Sequence, residues 1–210
     1  MIGSAFLSVV IAALLGYVLG SIPSAYLITG WATGKDIRRL GGGNVGGLNT
    51  FKEVGVLPAI GVILLDVGKG TAAVAISHSV LQLDQPYVLI AGLAAIVGHN
   101  WMVWLRFSGG KGMGAAVGAV LFLLPVYGYA WGLLIFAGIV IVPLAITRNV
   151  ALSNGIGLLA LPFIAWLNMH SGAFVLWSVG LGLTIAIKFA PTALAALRNN
   201  PDVKSYIKGS

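Results

Sequence analysis

Three stretches of the sequence combine residue types that bind anions. The first, residues 36–49, contains five glycines among fourteen residues, together with two arginines. Glycine lets backbone N–H groups approach an anion without a Cβ in the way, and arginine adds positive charge. The second, residues 65–70, places a carboxylate and an ammonium in an apolar run, and the third, residues 98–112, ends in a glycine–lysine turn. Together they predict a phosphate-binding site at which the three stretches meet.

Lys111 is the strongest candidate for a phosphate ligand. It lies between Gly110 and Gly112 just before an apolar segment, so we expect it at a helix N-terminus, where backbone amides and the helix dipole favour anions. The alternative is an interfacial lysine that only follows the charge bias of membrane proteins. Four glycines within residues 109–114 favour the binding turn.

The other site residues follow from the same chemistry. Asn44 and Asn49 can donate and accept hydrogen bonds, although loop asparagines also cap turns, and Arg38 and Lys52 add positive potential. We predict catalytic roles for Lys111, Asn44 and Lys52. The predicted phosphate-binding and substrate-binding residues are Arg38, Gly41, Gly42, Gly43, Gly46, Gly47, Asn49, Gly109, Gly110, Gly112, Ser24 and His99. Residues 41–47 lack the Gly-Lys-Ser/Thr ending of a Walker loop, so ATP hydrolysis is a poor fit.

Asp66 and Lys69 lie three residues apart, on one face of a helix. A charged side chain at the bilayer centre costs about 2.5–3.5 kcal/mol, so the pair needs a reason. Either it is an internal ion pair that supports the site, which we favour, or residues 54–65 form a shallow element that returns the pair to the surface. His99 has no carboxylate or second histidine at ligand spacing, so no metal site is predicted.

The composition indicates a polytopic membrane protein. Of the 210 residues, 59% are hydrophobic and 8% charged, against roughly 25% charged in soluble domains. Nearly every residue is needed for spans and turns, so we expect one integral-membrane domain over residues 1–210. There is no cysteine, which excludes disulfides and thiolate metal sites. The N-terminal apolar run is too long for a cleaved signal peptide and is assigned to the first span.

Hydropathy predicts an all-α bundle with seven transmembrane helices. A bilayer core of ~30 Å needs about 20 apolar residues per helix. The predicted spans lie near residues 2–22, 54–77, 86–104, 113–126, 129–147, 150–167 and 172–190. Pro23 is expected to break the first apolar region, after which Ser21 and Ser24 either turn toward the site or satisfy carbonyl groups freed inside the bundle.

The charge distribution predicts the orientation of the chain. The net charge is +7, and the twelve Lys and Arg residues fall in every second connection between the predicted spans. This is the positive-inside pattern of membrane proteins rather than a nucleic-acid footprint. We therefore expect an outside N-terminus, a cytoplasmic C-terminus and a cytoplasm-facing site in the inner membrane, with membrane lipids but no nucleic acid as partners. The sequence makes no prediction about oligomeric state.

The ordered motifs resemble one known family. Gly20-Ser-Ile-Pro23, Asp36-Ile-Arg38, residues 41–49, 65–70, 98–99 and 107–112, and Thr147-Arg148-Asn149-Val150 are similar in order and spacing to the bacterial acyl-phosphate:glycerol-3-phosphate acyltransferases. The resemblance covers about residues 1–155 and implies a seven-helix enzyme of phospholipid synthesis. It implies that cytoplasm-facing motifs bind the phosphates of acyl phosphate and glycerol 3-phosphate, without metal, nucleotide or other cofactor.

The chain departs from the family pattern at several polar positions. Gly42 stands for a serine, Leu48 for a threonine and Lys52 for an arginine, and lysine lacks the bidentate fork of arginine. Ala115 and Ala151 replace expected hydroxyl residues, and Phe189 and Ala190 replace a His-Arg pair. These losses support an alternative function, in which a divergent relative binds or transports a phosphate-bearing lipid or metabolite without acyl transfer.

Overall fold

The computed structural model describes residues 2–199, and regular structure within that range is helical apart from one isolated bridge between Met102 and Ser108. The chain divides after Leu123 into two compact units. The prediction of one domain over residues 1–210 stays a prediction. Lys204 and Lys208, which contribute to the predicted cytoplasmic C-terminus, lie outside the described residues.

The first unit contains the three candidate stretches. Its helices are α1 (Ile2–Gly20), α2 (Ser24–Thr33), α3 (Gly47–Glu53), α4 (Val56–Ala75), α5 (Gln85–Asn100) and the start of α6 (Met113–Val126). Short 3₁₀ turns occupy Ile37–Arg39 and Val103–Leu105, and a π-helical turn at Ile76–Val80 extends α4. The predicted break at Pro23 is confirmed, because α1 ends at Gly20 and α2 begins at Ser24.

The helices of the first unit approach one another through small residues. A Cβ added to Gly16 or Gly20 of α1 would overlap the backbone carbonyls of Ala91 and Ala95 of α5. Gly70 of α4 lies equally close to the backbone of α6. Without a hydrophobic driving force in lipid, such close backbone approach lets van der Waals contacts hold helices together. This packing gives a rigid frame for the residues at the ends of α1, α4 and α5.

A buried apolar cluster fixes the segments between these helices. It joins side chains of α2, the 3₁₀ turn at Ile37–Arg39, the glycine-rich loop, α4 and the connection that follows α5. Its members are Ala25, Ile37, Val45, Val62, Met102 and Leu105, each no more than 5% exposed. Two connections that lie far apart in the sequence are therefore packed against each other and against α4.

The second unit consists of the end of α6, α7 (Ala130–Thr147), α8 (Val150–Ile164) with a π-helical turn at Ala165–Met169, and α9 (Gly172–Asn199). Phe174 of α9 is 2% exposed and makes edge-to-face contacts with Tyr127 and Trp177, with ring centroids 5.8 Å apart in each case. Gly157 of α8 faces the side chains of α7.

The apolar helices make the chain a multi-pass membrane protein. Among residues 2–199, four helical segments have the length and composition to cross a bilayer: Ser4–Thr33, Val56–Val80, Ala130–Thr147 and Gly172–Thr192. Shorter apolar helices occupy Met113–Val126 and Leu152–Leu167. A helix lies at each of the seven predicted spans, although the number that cross the membrane and the orientation of the termini stay predictions.

Candidate phosphate-binding site

The three candidate stretches meet around Gly110. A Cβ at this position would overlap the Nε2 atom of His99 and the backbone carbonyl of Val45 in the glycine-rich loop. The backbone N–H of Gly110 donates to the carbonyl of His99 at 3.0 Å. The glycine–lysine turn is therefore in van der Waals contact with both the end of α5 and the glycine-rich loop, and only glycine fits at its centre.

Asp66 lies beside this meeting point. Its carboxylate forms the predicted ion pair with Lys69 at 2.8 Å, and the two side chains are 7% and 3% exposed. The same oxygen lies 3.5 Å from Nδ1 of His99. The expectation that His99 has no neighbouring carboxylate is wrong, because packing of α4 against α5 supplies one from 33 positions away in the sequence. Within residues 2–199, no group of three or more His, Cys, Asp or Glu side chains is placed to hold a metal ion.

Lys69 connects the ion pair to the break between α1 and α2. Its Nζ atom donates at 2.9 Å to the carbonyl of Ile22, which also accepts from the backbone N–H of Ser24 at 3.0 Å. α4 runs without interruption through this region, which favours the internal ion pair over a separate shallow element at residues 54–65. The pair therefore holds the start of α2 against α4, and its support of the site stays a prediction.

The two serines at the break behave differently. Ser21 donates from Oγ to the carbonyl of Gly98 at 3.4 Å. This contact fits the alternative in which the serine satisfies a carbonyl group inside the bundle. Ser24 is fully buried, and its Oγ has no hydrogen-bond partner in the structure. A buried hydroxyl without a partner is energetically unfavourable. Ser24 thus stays a predicted site residue, with an unused donor at the first position of α2.

The glycine-rich loop is shorter than predicted. It was expected to continue through Asn49, but α3 begins at Gly47, so Asn49 and Lys52 lie on a helix. The amide of Asn49 donates to the carbonyls of Leu40, at 3.0 Å, and Ile37, at 3.4 Å. Its donor group therefore holds the loop closed, whereas Lys52 is exposed on α3.

The turn at residues 41–43 depends on glycine for its backbone. Gly41 and Gly43 have φ angles of +51° and +69°, which side chains rarely adopt. A Cβ at Gly41 would lie 2.5 Å from Oε1 of Glu53 and 2.6 Å from Oδ1 of Asn49, so this glycine faces acceptor atoms of the protein's own side chains. At Gly42 an added Cβ would meet no atom within 4 Å. Farther along the loop, Asn44 is half-buried and Gly46 packs beside its amide.

Arg38 is paired within its own segment. Its guanidinium donates to both carboxylate oxygens of Asp36, with the shortest contact 2.7 Å, and lies 5.3 Å from the ring centroid of Tyr26. Asp36 also accepts from the Arg38 backbone at 3.0 Å and caps the 3₁₀ turn. This hydrogen bonding lowers the pKa of Asp36 and raises the pKa of Arg38. A phosphate at Arg38 would compete with the carboxylate.

Lys111 has the environment of an anion ligand. It is half-buried two residues before α6 begins, and burial lowers the pKa of its ammonium group because the charged form loses hydration. An anion beside it would favour the charged form again. Gly109 on one side packs against the backbone of residues 99 and 100, and Gly112 on the other has a φ of +75°. The turn thus holds a partly desolvated cation on a fixed backbone.

Several groups that build the site were not predicted from the sequence. They are the backbone carbonyls of Ile22 and Val45 and the side chain of Asn100, whose Oδ1 lies beside Gly112. Every residue has a backbone carbonyl, so its position in a site cannot be read from residue types. A glycine packed against such a carbonyl is the one sequence feature that indicates it. Gly110 was such a signal.

Comparison with known proteins identifies the family of the chain. The family model for glycerol-3-phosphate acyltransferase matches residues 10–209. Glycerol-3-phosphate acyltransferase 1 of Dehalococcoides mccartyi is 55% identical over 92% of this chain and 93% of its own length. A glycerol-3-phosphate acyltransferase of Prochlorococcus marinus is 36% identical over 93% of this chain and 90% of its own.

Solved structures share the fold. The glycerol 3-phosphate form of PlsY (YgiH), an integral membrane glycerol 3-phosphate acyltransferase, matches with a TM-score of 0.77 and 25% identity, over 91% of this chain and 93% of that one. The family model, the close relatives and this fold favour acyl transfer over the alternative of binding or transport without catalysis. The chain belongs to the glycerol-3-phosphate acyltransferase family and is a membrane acyltransferase of phospholipid synthesis.

Proposed function

We propose that the enzyme transfers a fatty acyl group from acyl phosphate to glycerol 3-phosphate and releases inorganic phosphate. The observation that carries the proposal is the contact of the glycine-rich loop, the end of α5 and the glycine–lysine turn around Gly110. Both substrates carry phosphate, and at this meeting point a turn fixed by glycines holds the partly desolvated ammonium of Lys111. No metal or nucleotide takes part in the proposed reaction.

In this reaction the acceptor hydroxyl attacks the acyl carbonyl carbon, and the bond from that carbon to the phosphate oxygen breaks. The proton of the hydroxyl passes to a phosphate oxygen of the acceptor. Negative charge builds up on the carbonyl oxygen and on the departing phosphate, so fixed cations and amides accelerate the step. Lys111 stabilises the departing phosphate. Asn44 in the loop contributes hydrogen bonds, and Lys52 on α3 contributes positive potential. Ser24 donates a hydrogen bond to a substrate oxygen.

The donor is tested by turnover of the purified protein in lipid nanodiscs. Acyl phosphate with glycerol 3-phosphate is expected to yield one inorganic phosphate per lysophosphatidic acid formed. The thioester donors, acyl-CoA and acylated acyl carrier protein, are expected to yield no product. Turnover with acyl-CoA but not with acyl phosphate would refute the proposed donor. A panel of phosphorylated acceptors in the same assay tests the acceptor.

The role of Lys111 is tested by Lys111→Ala. Loss of a charge-assisted interaction worth roughly 1.5–3 kcal/mol is expected to lower kcat/KM for acyl phosphate by about 10- to 100-fold. Lys35→Ala is the matched control, because Lys35 is exposed on the connection after α2 and lies outside the meeting point. If both variants keep wild-type kcat/KM, Lys111 does not bind a reacting phosphate.

The proposed orientation places the site at the cytoplasmic face of the inner membrane. The motivation is the clustering of Lys35, Arg39, Lys52 and Arg106 in the connections around the site. Because the chain has no cysteine, single cysteines give an unambiguous test. Lys35→Cys is expected to react with an impermeant maleimide only in inside-out vesicles, and Gln82→Cys only in intact spheroplasts; the reverse pattern would invert the orientation.

A further inference from the structure

His99 holds the glycine–lysine turn in two ways. Its backbone carbonyl accepts from the N–H of Gly110 at 3.0 Å. Its imidazole lies against the same residue, because a Cβ at Gly110 would overlap Nε2. The backbone that carries Lys111 therefore rests on both the main chain and the side chain of a single residue at the end of α5.

The other side of the imidazole faces Asp66. The Oδ1 atom of Asp66 lies 3.5 Å from Nδ1 of His99 and 2.8 Å from Nζ of Lys69. The Lys69 ammonium is in turn fixed by the carbonyl of Ile22 at 2.9 Å. Asp66 itself cannot move toward α6, since its Cβ lies 2.8 Å from where a Cβ of Gly114 would be. A chain of buried contacts thus runs from the α1–α2 break to the turn.

His99 is enclosed by these neighbours. Its side chain is 3% exposed, with Asp66 on the Nδ1 side and Gly110 on the Nε2 side. A phosphate in contact with Nε2 would have to displace the glycine–lysine turn. This geometry does not support the sequence prediction that His99 itself binds substrate, and it leaves His99 a role that is exerted through its neighbour.

We propose that His99 is a positioning residue whose imidazole, held by Asp66, sets the phosphate affinity of the turn at residues 109–112 without touching the substrate. The inference rests on the proposed phosphate role of Lys111. Misplacing a binding group by about 1 Å can cost up to about 100-fold in rate, so loosening the turn has a measurable effect even though no ligand contact is lost.

The test measures phosphate at Lys111 directly. Reductive methylation of the purified protein in nanodiscs is followed by mass spectrometry for each lysine, at increasing concentrations of inorganic phosphate. In the wild type, phosphate is expected to protect Lys111, whereas exposed Lys35 serves as an internal reference that phosphate does not protect. In His99→Gln the phosphate concentration for half-protection of Lys111 is expected to rise about tenfold.

The matched control is His78→Gln. His78 lies on the π-helical turn after α4, with its ring 6.0 Å from that of Phe122, and has no part in the chain of contacts to the turn. Its half-protection concentration is expected to equal that of the wild type. Equal values in wild type and His99→Gln would overturn the positioning role, while an absence of protection in the wild type would refute the phosphate role of Lys111 itself.

A second variant covers the case in which His99→Gln does not fold. The double substitution Asp66→Asn with Lys69→Met removes both buried charges and leaves the imidazole in place without its ionic neighbour. Half-protection of Lys111 is expected to rise by about the same tenfold factor, because the imidazole is no longer fixed. An unchanged value in this folded variant would show that Asp66 does not hold His99 in position and would overturn the proposal.

Discussion

The buried ion pair between Asp66 and Lys69 leads to a quantitative prediction about stability. Counted as whole residues, Asp66 and Lys69 are each 5% exposed, and their charges neutralise each other at 2.8 Å within an apolar frame. Replacing one partner leaves the other charge buried without its counterion. Such a change in a protein interior costs about 3–5 kcal/mol, whereas replacing both partners by uncharged groups is often nearly neutral.

The remaining neighbours determine which single variant is worse. In Lys69→Met the carboxylate still has the imidazole of His99 as a polar neighbour at 3.5 Å. In Asp66→Asn the ammonium keeps only the carbonyl of Ile22 and the neutral amide. We therefore expect Asp66→Asn near the upper end of the range, Lys69→Met near the lower end, and the double variant within about 1 kcal/mol of the wild type.

The assay is thermal unfolding in a mild detergent, followed by tryptophan fluorescence. For a protein of 150–250 residues, 1 kcal/mol corresponds to about 2–4 °C in Tm, so the single variants are expected to lose roughly 6–20 °C. The double variant is expected to recover most of that loss. If it is as unstable as Asp66→Asn alone, the pair does not act as mutually compensating charges and the reasoning is refuted.

Two other predictions concern a pair of glycines and a surface ion pair. Gly110→Ala is expected to abolish measurable turnover because its Cβ would overlap buried neighbours. Gly30→Ala on α2, whose Cβ would meet open space, is expected to stay within about threefold of wild-type kcat/KM, and equal loss in both would contradict the packing argument. Asp36→Asn is expected to lower the Tm slightly at neutral pH. Arg38 lowers the pKa of Asp36 from 3.8, so the stabilisation is present above about pH 4 and is lost as the pH falls through the lowered pKa; a difference that persists at acidic pH would exclude this origin.

The sequence predicted the elements of the fold better than their contacts. Apolar runs and Pro23 determine where helices run and break, so a helix lies at each predicted span and the interruption at Pro23 is confirmed. The ion pair between Asp66 and Lys69 was also predictable, because three residues separate them on one helix. The neighbourhood of Asp66 and His99 was not, since it depends on how α4 packs against α5 and has no local signal. The same holds for the carbonyl of Val45.

The loop shows a different limit. Its glycines predicted a phosphate-binding loop, but in the structure they have different roles. Gly41 and Gly43 make the turn through their positive φ angles, and Gly41 also faces Glu53 and Asn49. Composition reports that a backbone is unusual, but it does not distinguish a glycine that makes room for a ligand from one that makes room for the protein. The amide of Asn49, which bonds to loop carbonyls, illustrates the same ambiguity for polar side chains.

The loop positions at which this chain differs from the family pattern are positions where packing does not restrict the side chain. Gly42 borders open space, and Leu48 and Lys52 are exposed on α3. By contrast, Gly110 and His99 are buried against each other and cannot change without moving their neighbours. The frame that holds the glycine–lysine turn is therefore physically constrained, whereas the surface beside it is free to vary. We therefore expect the missing hydroxyls and the lysine in place of arginine to change the substrate affinity of the proposed site rather than its position.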